Sequence, residues 1–164
     1  MAATSWDPNQ PRLAQSNGSS LPKVQYGILE DDSKSFKAGM LVDVTSGACD
    51  SIDTDATSVY GIALKDSTNT SSGNIEIPIQ PITPADELYM RVRSGASDAL
   101  ANTAAPGTAY GVIVDASTDV VYMDTADTSN HCVVFQGELL DATGASTYWA
   151  RVRVFDTAAQ AVSE

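Results

Sequence analysis

The sequence predicts an all-β fold, a small barrel or sandwich of about ten short strands preceded by an extended N-terminal arm. Three observations carry this. Short runs rich in Val, Ile, Leu and Tyr are separated by Gly, Pro, Asp, Ser and Thr at close intervals. No stretch sustains a strong helical period, and only residues 97–105 are helix-compatible. A strand-turn pattern also recurs about fifty residues apart, with LVDVTSGACD…VYGIALKDST at 41–68 and MRVRSGASDA…AYGVIVDAST at 90–118. The recurrence predicts repeated supersecondary structure. With two copies it falls short of a solenoid.

The elements follow in order. Residues 1–22 carry three prolines, many small polar residues and no periodicity, and read as an arm. Trp6 and Leu13 are its isolated hydrophobes, either anchors for a partner or chance residues in a tail. The β domain spans 23–156, and 157–164 is a short tail. Strands are expected at 23–29, 39–44, 48–52 and 58–64. At 75–79 Ile75, Ile77 and Ile79 alternate with Glu76 and Pro78, and the proline suggests an edge or bulge. Pro81 and Pro84 make a corner. In 87–93 Leu88, Met90 and Val92 point inward, with Tyr89, Arg91 and Arg93 outward. Residues 109–114 and 119–123 form a hairpin around Asp115-Ala-Ser-Thr. A strand at 131–136 and a turn at 141–144 follow. The closing strand, 148–155, alternates Tyr148, Ala150, Val152 and Val154 against Trp149, Arg151, Arg153 and Phe155.

At 164 residues the chain can bury a core without disulfides or metals. Cys49 and Cys132 lie in strand contexts without a CxxC and read as buried thiols. The formal net charge of −12 disfavours nucleic acid, whose phosphates require clustered Lys and Arg. No apolar run approaches the ~20 residues of a membrane span. The start MAATSWDPNQP lacks a basic and an apolar leader region, so synthesis and folding in a cytoplasm are expected.

The motifs argue against an enzyme. The one histidine, His131, adjoins Cys132 in a strand, so the two side chains point to opposite faces. There is no GxSxG, HExxH, Walker loop or GxGxxG. Asp50, Asp53 and Asp55 in DSIDTD could offer oxygens to calcium, but the glycine and glutamate of an EF-hand loop are missing. That segment, like Asp124 and Asp127, reads as a solvated turn. No catalytic residue, cofactor or metal is therefore assigned. The notable polar feature is the pair of RVR tripeptides, Arg91-Val92-Arg93 and Arg151-Val152-Arg153, which hold four of the five arginines. In a strand each pair shares a face. They are expected to form a positive stripe that meets acidic loops of a partner, or else to pair with Asp and Glu across strands.

Residues 36–155 resemble capsid decoration (cement) proteins of tailed bacteriophages. The resemblance rests on Lys37-Ala38-Gly39 with Val42, on Tyr60-Gly61-Ile62-Ala63, and on the apolar strand and proline corner at 75–82. The segments 108–130 and 148–155 are similar to the second half of longer members. The arm has no counterpart. The resemblance implies a β-barrel on the outer surface of the virion head that bridges neighbouring major capsid proteins. It also implies a homotrimer, with a homodimer as alternative, and neither catalysis nor cofactor. Trp6, Leu13, Arg91, Arg93, Arg151 and Arg153 are then the expected capsid or subunit contacts. A carbohydrate-binding or adhesion module of a virion fibre is the alternative, with Tyr89, Tyr148 and Trp149 as its stacking residues.

Overall fold

The computed structural model describes residues 10–15, 24–68, 74–156 and 158. Trp6 lies outside them, as do most of the proposed tail and much of the arm. Twelve strands are described: β1 (Arg12–Gln15), β2 (Leu29–Glu30), β3 (Leu41–Thr45), β4 (Ala48–Ser51), β5 (Gly61–Ala63), β6 (Ile79–Pro81), β7 (Glu87–Ser94), β8 (Ser97–Asp98), β9 (Ala109–Asp115), β10 (Val120–Asp124), β11 (Val133–Leu140) and β12 (Ser146–Val154). The all-β class is as predicted. The helix-compatible stretch at 97–105 instead holds β8 and one 3-10 turn, Ala101–Thr103.

The longer strands close on themselves. β7 pairs with β10, β10 with β9, β9 with β11, β11 with β12, and β12 again with β7. Only the β7–β10 step of this ring is parallel. Closure removes the unpaired edges that an open sheet would expose. β7 is long enough to serve four partners. Residues 87–91 face β12 on one edge, and β8 continues that edge. On the other edge β10 takes 91–93 and β1 takes 87–89. Part of the segment read as an arm is thus a strand of the sheet. Gln10, fully buried just before it, donates from Nε2 to the Asp119 carbonyl at 2.5 Å.

The second sheet runs β2-β4-β3-β5-β6. Bridges from Gln25 to Ile79 and from Leu29 to Glu76 join its two ends. The strand expected at 23–29 therefore shrinks to these bridges and β2, which is parallel to β4. The residues behind the resemblance all meet in this sheet. Gly39, at φ 97, turns the chain so that its amide reaches the Ala63 carbonyl at 2.8 Å. The Ala38 amide donates to Asp66 Oδ1 and the Tyr60 amide to the Val42 carbonyl, both at 2.8 Å. Gly61 packs so closely on the Gln80 backbone and the Ile79 side chain that a Cβ there would overlap them.

One apolar core joins the two sheets. Phe36, Met40, Leu41, Ile62, Ile77 and Ile79 enter it from the second sheet, and Leu88, Met90, Met123, Phe135 and Val152 from the ring. Cys49 and Cys132 are free thiols buried within it, and burial pushes both up to about 12. Glu30, also fully buried, accepts hydrogen bonds from the Thr68 hydroxyl and amide and latches the 64–68 loop to β2. Burial alone would raise its pKa, but these bonds outweigh it and the carboxyl sits below its ordinary value.

The repeat is real as a hairpin and lost as a sheet. The Thr45–Ala48 pair brackets Ser46-Gly47, both at positive φ (54 and 82), as in a type I′ turn. The Ser94–Ser97 pair brackets Gly95-Ala96, with Gly95 alone at positive φ (59), as in type II′. The shared Ser-Gly-Ala thus sits one position out of step. β3 pairs directly with β5, whereas β10 separates β7 from β9.

Candidate functional site

The alternation of β7 and β12 places their polar residues on one outer face. Leu88, Met90 and Val92 are buried, as are Ala150, Val152 and Val154. Residues directly opposite each other on paired strands share a face. Arg12 of β1 is opposite Tyr89, and Tyr89 is opposite Arg151. The next row pairs Arg91 with Trp149, and on the far edge Arg91 with Tyr122 of β10. Arg153 lies opposite Glu87. All five arginines of an acidic chain therefore gather on β1, β7 and β12.

Aromatic rings and carboxylates order this face. The Arg12 guanidinium carbon stands 4.8 Å from the centroid of the Trp149 ring, and that of Arg93 3.9 Å from Tyr122. Arg91 lies 5.6 Å from Tyr122 and 6.0 Å from Tyr148. Such stacking is worth about 0.5–2 kcal/mol, depending on exposure. Asp98, carried back by the β7–β8 hairpin, accepts from Arg91 Nη2 at 3.1 Å and Arg93 Nε at 3.2 Å. Arg93 Nη1 also meets Asp115 Oδ2 at 2.7 Å. Burial works against the Arg93 charge, but its bonds to Asp115 and Asp98 outweigh this and raise its pKa.

The stripe thus divides in two. Arg91 and Arg93 are held internally, the cross-strand pairing weighed from the sequence. Arg12 and Arg151 are exposed, and Arg151 reaches only Glu87, at 3.7 Å. Arg153 has a buried Nε without a hydrogen-bond partner. Among the described residues no carboxylate forms an ion pair with Arg12 or Arg153. Tyr148, which shares its alternation with the buried Ala150, Val152 and Val154, is itself 45% exposed.

The other sequence-marked residues take structural places. His131 is exposed, meets the Thr128 carbonyl through Nε2 at 2.8 Å, and stacks edge-on with Phe155. Asp50 pairs with Lys34 Nζ at 2.5 Å, while Asp53 and Asp55 are exposed. Asp124 departs from the solvated-turn reading. It is buried, and its Oδ1 accepts the Gly95 and Ala126 amides. Among the described residues no three His, Cys, Asp or Glu side chains group to hold a metal. Leu13 is placed by its backbone opposite Leu88. Sequence reasoning gave no role to Arg12, Tyr122 or Asp98. Tyr122 carried the one available signal, its place in the predicted hairpin strand. No family model, curated protein or solved structure matches the chain.

Proposed function

We propose that this chain is a non-enzymatic virion protein, a capsid decoration protein that binds the outside of a phage head and bridges neighbouring major capsid proteins. The observation that carries the reading is the convergence of the residues behind the resemblance. Lys37-Ala38-Gly39, Val42, Tyr60–Ala63 and the 75–82 segment share one small sheet and hydrogen-bond to one another there. A stiff, closed β shell with a cationic and aromatic outer face suits a clamp that must resist outward strain. On a lattice, weak contacts gain strength by being linked. The test is mass spectrometry of purified virions separated into heads and tails. The protein should be found with heads, in stoichiometric ratio to the major capsid protein. Its presence only in tails would overturn the reading.

Exposed Tyr26 (64%) and Tyr148, with Trp149 beside it, favour the carbohydrate-binding alternative. Saturable binding to a glycan array without affinity for heads would select it.

A further inference from the structure

We propose that the outer face of β1, β7 and β12 is the contact surface for a second copy of this chain, which it receives through that copy's aspartate-rich corner at residues 31–55.

Charge is placed unevenly over the molecule. The face holds all five arginines with Glu87, Asp98 and Asp115 against them, so the rest of the chain sets four lysines against 18 acidic residues. Six aspartates fall between 31 and 55, in and around β2, β3 and β4. Asp43 lies opposite Asp50 in the β3–β4 pair, and Lys34 is bound to Asp50. Asp32 and Asp53 are exposed. The corner is overloaded: burial, then the charges of Asp50 and Asp53, hold the Asp43 carboxyl above its ordinary value. A cation from outside would relieve that repulsion.

The face is built to supply one. Arg12 is exposed, with its guanidinium carbon 4.8 Å from the centroid of the Trp149 ring, and a planar guanidinium held over an aromatic ring keeps its N–H donors at its edge. Those groups fit carboxylates bidentately. Arg151 stands in the same row beyond Tyr89, with Glu87 only at 3.7 Å, and Arg153, like Arg12, has no ion-pair partner among the described residues. The chain's net negative charge disfavours a polyphosphate occupant. An identical copy brings the complementary surface at equal concentration. Face and corner belong to different sheets, so the contact either repeats head-to-tail into a ring or chain or is made twice, reciprocally, about a two-fold axis.

This contact is independent of head binding, and sedimentation of the free protein tests it. At about 0.1 M salt the screening length is ~10 Å, so local complementarity outweighs repulsion between whole copies, whereas at about 1 M it falls to ~3 Å. The protein should sediment as an oligomer in the first condition and as a monomer in the second. Arg12→Glu with Arg151→Glu should abolish association, as should Asp32→Lys with Asp53→Lys. An equimolar mixture of the two folded variants should sediment above either alone, since each face then meets a corner of opposite charge. Arg12→Gln with Arg151→Gln, which retains side-chain stems over the strands, should weaken association in the same direction. A protein monomeric at 0.1 M salt would overturn the proposal. So would reversal variants that are folded by far-UV circular dichroism and remain associated, or that stay apart when mixed. Monomers that still bind heads would sink this contact and leave the decoration reading standing. Salt-sensitive oligomers absent from virions would do the reverse.

Discussion

The Asp115 carboxylate accepts hydrogen bonds from the Ser117 hydroxyl at 2.6 Å and the Ser117 amide at 2.9 Å, and pairs with Arg93. These three partners, in that order of weight, hold its pKa far below the ordinary carboxylate range. A carboxyl with a folded pKa below its unfolded value of about 3.9 stabilises the fold above that pH. The contribution fades as pH falls toward the folded value. Asp115→Asn should therefore cost about 1–2 kcal/mol at neutral pH. Urea midpoints of the two proteins should converge below pH ~4, and a gap that persists in acid would contradict the assignment. Ser46 offers the opposite opportunity. It occupies the left-handed region at φ 54, beside Gly47 at φ 82, where Asn-Gly is preferred over Ser-Gly. Ser46→Asn should raise stability by about 0.5 kcal/mol, read as a higher denaturation midpoint.

β7 and β12 are the elements on which the account turns, and both were legible. Leu88, Met90 and Val92 are buried in strict alternation, as are Ala150, Val152 and Val154. The shared face of each RVR pair followed from the same period. What stayed hidden was non-local. No local pattern in Arg12–Gln15 marks it as a strand, since its partner is more than seventy residues away in β7. Nothing in Val120–Asp124 reveals that it runs parallel to β7. The internal partners of Arg91 and Arg93 were missed for a related reason: Asp98 and Asp115 return only through their hairpins. β1 makes its own prediction. Without residues 1–15 the Asp119 carbonyl loses its hydrogen bond from Gln10, and the amides at 87–89 that face β1 become an open edge. Their hydrogen exchange should accelerate on the order of tenfold or more, with those facing β12 little changed. Equal protection in the truncated protein would show that β1 adds no closure.

The whole molecule is two strand systems fused through one core, with its arginines on one face and most of its aspartates elsewhere. Composition announced the acidity, while only the fold shows how unevenly charge is arranged. A closed ring of strands with the arginines gathered on one face suits the proposed role of holding other proteins. Decoration of a head makes the strongest demand on that design. The most direct measurement is add-back of purified protein to heads that lack it, followed by thermal challenge. The account predicts saturable binding to the outer surface and a shell that withstands a higher temperature. Heads that bind none of it, or bind it with no gain in resistance, would contradict the account.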